Sequence, residues 1–340
     1  MRGGTYIKKQ INPIKDTNLN TIRRALREVK TATKPQLAEL TGLSVVTVNS
    51  LVAALIEEGE ILPDTVQSSE GGRPAASFRY HSDFRMALAI YMHECDGADT
   101  IYYRVVNLAG EVVEKSEQQE AAINQASFDE TIAELLLKYP QIKAICFGIP
   151  GYETEEGLMV IDYETMGNQP LSHYVKEKFR LPVLVENDVN AATMGYCVRN
   201  KIGKKECVIG LYFPDKYPPG GGIYLDGKLY KGKNGMAGEI RYLPLSIDWE
   251  NFDYEPAKMK EAIVKTILSV QCLYNPDKIV IYGKEISPQI KEEVSKQRTT
   301  QAEQLLCSEI IISEELNQDF EEGIKQSALN MIDTAVTRMD

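Results

Sequence analysis

The residues from Val45 to Ser50 combine methyl-bearing side chains with short hydrogen-bonding groups. Val45, Thr47, Asn49 and Ser50 supply these groups within the run VVTVNS. Small polar or methyl-bearing side chains are the kind that contact base edges in the major groove of DNA. These residues therefore indicate non-covalent readout of a nucleotide sequence, which requires an element that can enter the groove.

The segment from 31 to 62 predicts that element as two helices joined by a tight turn. Pro35 suits the first turn of one helix, where its missing N–H would be unpaired anyway. Gly42 tolerates the turn, and Ser44 caps a second helix. An upstream helix, roughly Leu19–Val29, completes a three-helix core. The apolar residues of the second helix recur at helical spacing: Val48, Leu51, Val52, Leu55 and Ile56.

The residues after these helices predict a two-stranded wing. One strand covers 61–66, Ala76–Tyr80 returns as the second, and Arg73 lies at the tip between Gly72 and Pro74. A single arginine on a stiff tip suits a narrow minor groove, where the potential is most negative. The alternative, an ordinary helical hairpin within a larger fold, does not account for the wing. The predicted DNA-binding residues are Lys34, Gln36, Ser44, Val45, Thr47, Asn49 and Arg73.

Charge is distributed unevenly along the chain. The net charge of −11 alone argues against nucleic acid as a partner. Residues 1–80 hold eleven basic and eight acidic side chains, a difference of +3, which leaves −14 for the remainder. We expect modest, salt-sensitive DNA affinity from each head, and dimerisation for tight binding. The basic residues around the predicted helices either face phosphates or are simply solvated: Lys8, Lys9, Lys15, Arg23, Arg24, Arg27, Lys30 and Lys34.

At 340 residues with 43% apolar content, the chain exceeds one ordinary globular domain. The predicted division is a head at 1–80, a first lobe at 81–200 joined by a C-terminal helix at about 320–340, and a second lobe at 201–319. No stretch approaches the ~20 apolar residues that cross a bilayer, and no signal-peptide core begins the chain, so a cytoplasmic protein is predicted. The six cysteines form no CxxC pair and indicate buried thiols rather than a disulfide or zinc framework.

Beyond Tyr80 the body alternates strands and helices in an α/β pattern. Strand meanders crossed by helices in two successive lobes predict an actin-like (ribonuclease H-like) body with a cleft between the lobes. The predicted strands are Met86–Tyr91, Ile101–Val106, Glu111–Glu117, Lys143–Gly148, Pro182–Glu186, Glu206–Phe213, Gly222–Leu225 and Lys278–Tyr282. The predicted helices are Phe128–Lys138, one through Leu171, Val175 and Phe179, one beginning near Asn190, Pro256–Tyr274 and about Phe320–Arg338.

Three segments of the body resemble the repressor, open reading frame, kinase (ROK) family of sugar kinases and sugar-responsive repressors. They are Val185–Ala192 with its Glu-Asn-Asp, the run from Asp226 to Ile240 with its Ala-Gly-Glu, and Gly148–Gly151. The winged head ending in Gly-Gly-Arg-Pro is similar to the repressor branch, so the resemblance covers nearly the whole chain. It implies an ATPase/sugar-kinase fold for the body and the sugar-binding residues Gly151, Asn187, Asp188 and Glu239.

The resemblance places Asp188 where the family has the base that takes a proton from a sugar hydroxyl. It makes Asn187 and Glu239 hydrogen-bond partners of the sugar, and a carboxylate with an amide can clasp vicinal hydroxyls with or without catalysis. The alternative for Asp188 is the N-cap of a helix over Asn190–Tyr196, and both roles are compatible. Arg241 either pairs with Glu239 or faces an anionic ligand such as a sugar phosphate.

The parts of the family that hold nucleotide phosphates are replaced in this sequence. Tyr91–Gly97 stands in place of an Asp-x-Gly-Gly-Thr hairpin, and Phe213–Pro219 in place of a Gly-Thr-Gly-x-Gly loop. The prolines of the second segment remove backbone donors, and Asp215 adds charge of the wrong sign. The glycine pair after Ile281 is reduced to Gly283. Because phosphoryl transfer depends on positioning and neutralising phosphates, an enzyme is not expected.

The zinc site of the family is also missing from the sequence. Its histidine corresponds to Tyr242, and no Cys-x-Cys-Gly-x-x-Gly-Cys cluster follows. His81, His93 and His173 lack the spacing of zinc ligands. We therefore predict no metal and no cofactor.

The sequence thus predicts a transcriptional regulator, a repressor of sugar-utilisation genes, whose non-catalytic body senses a sugar or sugar phosphate. Its predicted partners are double-stranded operator DNA, that small-molecule effector and further copies of the chain in a homodimer or higher homo-oligomer, with no membrane. An effector bound between the lobes would favour one closure state and change the spacing of two heads. Two alternatives stay open: an active ROK sugar kinase with an accessory head, and an interaction scaffold whose cleft binds nothing.

Overall fold

The computed structural model describes residues 13–67, 75–95, 98–154, 159–161, 164–166, 170–284, 286–298, 300 and 303–333. By their contacts these residues divide into two units. Unit 1 comprises the described parts of Met1–Met86, Asn107–Glu111 and Asn330–Asp340, and unit 2 those of Ala87–Val106 and Val112–Leu329. Within the described ranges, no single helix is both long and apolar enough to cross a membrane.

The described residues of unit 1 begin with three helices: α1 (Pro13–Val29), α2 (Lys34–Thr41) and α3 (Val45–Glu57). α2 begins with a capping box, in which Thr33 Oγ1 accepts the N–H of Gln36 and Gln36 Oε1 accepts the N–H of Thr33. Gly42, with a φ of 69°, ends α2, and Ser44 Oγ accepts the N–H of Thr47 to begin α3. The chain turns by 114° between α2 and α3, which lies within the range of a helix-turn-helix.

A three-stranded antiparallel sheet completes unit 1: β1 (Thr31–Thr33), β2 (Ile61–Gln67) and β3 (Ala75–Tyr80). β3 lies in the middle and pairs with both β1 and β2. The sequence predicts only the two longer strands, because three residues are too few to show an alternating pattern. Residues 68–74, which include the predicted tip residue Arg73, lie outside the described residues.

The helices and the sheet of unit 1 share one apolar core, which includes Ile22, Leu26, Leu37, Val48, Val52, Leu55, Ile61 and Phe78. Arg23, one of the basic residues predicted around the helices, is only 7% exposed. Its Nε and Nη2 donate to the two carboxylate oxygens of Glu60 at 2.6 and 2.9 Å. Arg27 is likewise engaged, with Asp333 and with the Tyr80 hydroxyl. The expectation that Arg23 faces solvent or phosphate is wrong, because it belongs to a buried ion pair.

Two mixed five-stranded sheets follow along the chain. The first contains β4 (Met86–Cys95), β5 (Ala98–Asn107), β6 (Val112–Glu120), β7 (Ile142–Ile149) and, after the short hairpin β8 (Gly151–Glu153) and β9 (Met159–Ile161), β10 (Val183–Asn187). Its order is β10-β7-β4-β5-β6, with β7 and β10 parallel. The helices inserted between these strands are α4 (Asp129–Lys138) and α5 (Leu171–Phe179).

The second sheet contains β11 (Val208–Tyr212), β12 (Gly220–Leu225), β13 (Lys228–Leu229), β14 (Lys278–Tyr282) and β15 (Glu309–Ser313), in the order β13-β12-β11-β14-β15. The remaining helices are α6 (Asp188–Arg199), α7 (Pro256–Tyr274), α8 (Ile290–Lys296) and α9 (Leu316–Ile332). α7 and β14 have the predicted bounds. α6 begins at Asp188, two residues earlier than predicted, because Asn187 is its N-cap.

α6 and α9 approach each other through a pair of glycines. A Cβ on Gly195 in α6 would lie 1.8 Å from the backbone oxygen of Asp319 in α9. A Cβ on Gly323 in α9 would lie 1.8 Å from the backbone oxygen of Ala191 in α6. Both clashes are with backbone, so neither can be relieved by a change of rotamer. The two glycines therefore set the separation of these helices.

We expect Gly195→Ala to lower the free energy of unfolding of unit 2 by about 3 kcal/mol, because α6 and α9 must separate to admit the methyl group. Urea unfolding followed by the fluorescence of Trp249, the single tryptophan and a member of the second sheet's core, measures this. Gly203→Ala is the matched control, since its Cβ would meet only the Glu206 side chain at 3.3 Å. Equal midpoints for the two variants would contradict the glycine contact.

Candidate DNA-binding surface and ligand site

The first turns of α3 present an uncharged surface to solvent. Val45 is 51% exposed and Val46 is 79% exposed, and Asn49 and Ser50 are also exposed. The opposite side of the helix is buried in the core of unit 1 through Val48, Leu51, Val52 and Leu55. The helix thus presents short side chains outward at its N-terminal end, as a recognition helix does.

Four more of the predicted DNA-binding residues, Lys34, Gln36, Ser44 and Thr47, have partners within unit 1, and Arg73 lies outside the described residues. Ser44 Oγ lies 2.8 Å from Thr47 Oγ1 and caps α3, so both hydroxyls stabilise the start of the helix. The side-chain oxygen of Gln36 is used in the capping box of α2. Lys34 is half-buried, with its Nζ 5.6 Å from the centre of the Phe78 ring. Among the described residues of this set, Val45 and Asn49 are exposed and make no contact of these kinds.

Val46 is absent from the predicted DNA-binding residues although it is the most exposed large apolar residue of α3. The sequence did contain a signal for it. Successive helical residues are about 100° apart, so Val46, two positions before the buried Val48, points away from the core. The buried stripe continues from Val48 through Leu51, Val52 and Leu55, on the side of the helix opposite Val46.

The proposed ligand residues meet at the N-terminus of α6. Asn187 Oδ1 accepts the N–H groups of Val189 and Asn190, each at 3.0 Å, so Asn187 is the N-cap and Asp188 is the first helical residue. The prediction that Asp188 could be the cap is therefore wrong. Asn187 Nδ2 donates to Asp188 Oδ1 at 2.8 Å and to the backbone oxygen of Gly151 at 3.2 Å. One amide thus holds three of the four predicted sugar-binding residues together.

A run of three glycines in β12 lets α6 approach this strand closely. A Cβ on Gly222 would lie 2.3 Å from Thr193 Oγ1, and one on Gly220 would lie 3.2 Å from Val189. Gly221 points to the opposite side, where a Cβ would lie 3.2 Å from the backbone oxygen of Gly238. The run therefore brings Gly238, and with it the following Glu239, close to the strand against which α6 begins.

Glu239, the fourth predicted residue, shares its surroundings with an arginine and a tyrosine. Arg241 Nε lies 3.6 Å from Glu239 Oε2, so the ion-pair alternative for Arg241 is observed. Burial and then the charge of Glu239 raise the pKa of Tyr152, which follows Gly151 directly. Glu239 thus lies within electrostatic range of the β8 strand that Asn187 holds.

Two further features of the site were not predicted from the sequence. Burial, followed by the charges of Asp188 and Asp215, raises the pKa of Tyr212 to about 12, so its phenol stays protonated near the Asp188 carboxylate. Glu186, only 4% exposed, pairs with Lys231 at 2.6 Å. A carboxylate beside a neutral phenol and an amide offers acceptors and a donor to a polyhydroxylated ligand.

Residues 96–251 match the model of the ROK family. This segment, just under half of the chain, is similar to the ROK family. The chain is 28% identical over 256 residues to the xylose repressor of Caldicellulosiruptor bescii, an alignment that covers 72% of the chain and 61% of the repressor. The chain therefore spans less than two thirds of that relative's length. It is also 30% identical over 125 residues to the N-acetyl-D-glucosamine kinase of Vibrio vulnificus, covering 35% of the chain and 41% of the kinase.

Similarity in fold extends over nearly the whole chain. The crystal structure of a ROK family transcriptional regulator, a homologue of the E. coli MLC protein, matches with a TM-score of 0.65 at 18% identity. The match covers 96% of this chain and 100% of that structure. The predicted fold class, α/β with N-terminal helix-turn-helix and a sugar-kinase-like body, is confirmed.

The two segments that were predicted to replace phosphate loops contain residues engaged by other side chains of the protein. The rings of Tyr91 in β4 and Tyr102 in β5 stack with centres 4.9 Å apart, and the Arg104 guanidinium lies over both. In the segment after β11, Asp215 Oδ2 pairs with Lys284 Nζ at 3.3 Å. Tyr242, predicted to stand at the position of the family's zinc histidine, is exposed; within the described ranges no group of three His, Cys, Asp or Glu could hold a metal.

Proposed function

We propose that this ROK protein is a sequence-specific DNA-binding transcriptional regulator that represses sugar-utilisation genes. The observation that carries the proposal is the exposed, uncharged first half of α3, placed after a 114° turn in a helix-turn-helix. An ordinary surface helix presents charged and polar side chains on its outward face, whereas the first half of α3 presents two valines. The similarity to a xylose repressor over 72% of the chain supports the same function.

We propose further that the body binds the effector at the N-terminus of α6. Gly151, Asn187 and Asp188 are joined there by hydrogen bonds, and Glu239 lies within electrostatic range of Tyr152. Paired acceptors and donors of this kind suit vicinal hydroxyls of a sugar or sugar phosphate. D-Xylose is the first compound to test, because a xylose repressor is among the similar proteins.

The proposed body senses its ligand without phosphorylating it. Pro214, Pro218 and Pro219 remove backbone donors where a phosphate loop would need them, and Asp215 adds negative charge. The alternative is an active ROK kinase, supported by the similarity of part of the body to an N-acetyl-D-glucosamine kinase. Incubation with ATP and D-xylose or N-acetylglucosamine distinguishes the two, since only a kinase releases ADP at a sugar-dependent rate.

The repressor model requires a pair of heads. A single small head carries few phosphate-binding charges, so tight binding needs two half-sites occupied together. We propose a homodimer or higher homo-oligomer whose half-site spacing depends on the effector. Sedimentation of the protein with and without operator DNA measures the number of copies bound.

The decisive experiment measures binding of the protein to DNA from upstream of its own gene by fluorescence anisotropy, at one moderate salt concentration. Each titration is repeated with D-xylose, other sugars and sugar phosphates. Specific binding that one compound relieves would support both halves of the proposal and identify the effector. Absence of specific binding under every condition would overturn the repressor function, and specific binding that no compound changes would overturn the sensing role.

Asn49→Ala is expected to weaken operator binding by about 10- to 100-fold, because a side-chain amide paired with a base contributes about 1–3 kcal/mol of discrimination. Anisotropy titrations at one salt concentration measure this loss. Asn317→Ala, an exposed asparagine in α9, is the matched control and should bind normally. Unchanged affinity of the Asn49 variant would exclude α3 as the recognition helix. Arg73→Ala should also weaken binding, which tests the predicted wing tip.

A further inference from the structure

Two adjacent valines at the start of α3 are exposed without a structural reason. Val45 and Val46 are 51% and 79% exposed, whereas the valines and leucines that follow are buried. Valine is a weaker helix former than alanine or leucine, so helix propensity does not require it here. Single exposed apolar residues are common on protein surfaces, but two β-branched residues side by side at the tip of a proposed recognition helix need a further explanation.

The surface around these valines is chemically suited to base edges rather than to phosphates. α3 contains no charged side chain before Glu57, so its first half neither attracts nor repels the DNA backbone strongly. Asn49 lies four residues after Val45 and three after Val46, and side chains at either spacing are neighbours on the surface of a helix. That surface therefore carries two branched apolar groups beside one exposed amide.

In the major groove the apolar group on a base edge is the C5-methyl of thymine, and the natural partner of a side-chain amide is adenine. We propose that Val45 and Val46 contact thymine C5-methyl groups in each operator half-site, with Asn49 on a neighbouring adenine. The inference rests on the proposed DNA-binding function and adds the kind of sequence that is read. It requires half-sites that contain thymine at fixed positions.

The experiment removes the methyl groups one at a time. Duplexes are first selected from a random library with the full chain, and each thymine of the enriched half-site is then replaced by deoxyuridine. We expect at least one replacement to weaken binding of the wild-type chain by about 3- to 10-fold, as expected for the loss of a buried methyl group. Replacing that thymine by 5-methylcytosine, paired with guanine, keeps the methyl group and tests it independently of the base.

The variants Val45→Ala and Val46→Ala identify the protein side of the contact. The variant that lacks the contacting valine should bind the thymine duplex as weakly as the wild type binds the deoxyuridine duplex. Its affinity should not fall further when thymine is replaced by deoxyuridine. Val113→Ala, an exposed valine of β6, is the matched control and should behave as the wild type. Because Val45 and Val46 lie outside the core, their replacement leaves the head folded.

Two failures are distinguishable. Enriched duplexes whose thymines can all be replaced by deoxyuridine without loss would overturn this inference and leave the proposed DNA-binding function standing. The same holds if the alanine variants lose equal affinity on both duplexes. A library that yields no enriched duplex would overturn the proposed function, and this inference with it.

Discussion

The Asp188→Asn protein is expected to bind operator DNA with wild-type affinity and to lose its response to the effector. The substitution keeps the shape of the side chain, and an amide oxygen can still accept the hydrogen bonds that Asp188 Oδ1 receives from Asn187 Nδ2 and the N–H of Val189. What disappears is a charged acceptor at the N-terminus of α6. Hydrogen bonds to charged groups contribute about 1.5–3 kcal/mol, so we expect effector affinity to fall by about 10- to 100-fold.

The measurement is effector titration against a preformed complex of protein and operator, followed by anisotropy. Asp215→Asn is the matched control, because Asp215 also acts on the pKa of Tyr212 but is exposed and pairs with Lys284. This variant should release DNA at the wild-type effector concentration. A normal response from Asp188→Asn would place the effector elsewhere, and loss of DNA binding by this variant would show that the substitution had disturbed the fold.

Part of this site could be predicted from the sequence because it follows from sheet topology. β7 and β10 are parallel neighbours, with Asn187 opposite Ile149 in register. The carboxyl ends of parallel strands meet at one edge, so Gly151 and Asp188 are brought together as soon as both strands are recognised. Helix α7 was predictable for a similar reason, since Pro256 and a long apolar stripe define its start and face.

The rest of the site depends on contacts between segments that are distant in sequence. Lys231 reaches Glu186 only because the β12–β13 hairpin packs near β10, and no local pattern specifies that approach. Tyr212 likewise acquires Asp188 as a neighbour through the packing of α6 on β11. Tyr152 acquires Glu239 from a segment that is distant in sequence. The sequence could not decide whether Asn187 or Asp188 is the N-cap of α6, because Asn and Asp have nearly equal capping preference.

Arg23 shows that a basic side chain near a proposed DNA-binding helix need not face the DNA or solvent. Arginines near a predicted DNA-binding helix were expected to face phosphate or solvent, yet Arg23 lies inside unit 1. Its guanidinium holds Glu60 in a bidentate pair and also donates to Asn20 at 2.8 Å. This pairing could not be predicted from a local pattern, since Glu60 lies three residues after the end of α3 and its partner Arg23 in α1 is thirty-seven positions earlier.

This buried pair leads to the largest stability effect that we expect in the head. Glu60→Leu would leave the Arg23 cation buried without its partner, which typically costs about 3–5 kcal/mol. Hydrogen exchange of the α1 and α3 amides should then accelerate by two to three powers of ten, and operator binding should be lost. Trp249, in the second sheet's core, provides an internal reference: its fluorescence should report an unchanged unfolding midpoint for the body.

The double variant Arg23→Met, Glu60→Leu distinguishes an unpaired charge from simple loss of contacts. Replacing a buried ion pair by apolar residues of similar volume is often neutral or stabilising, so amide protection in α1 and α3 should largely return. Glu57→Leu is the matched control, because its carboxylate is exposed at the end of α3, and it should exchange as the wild type does. If the double variant is as unprotected as Glu60→Leu, the pair stabilises the head through its hydrogen bonds and not by cancelling a buried charge.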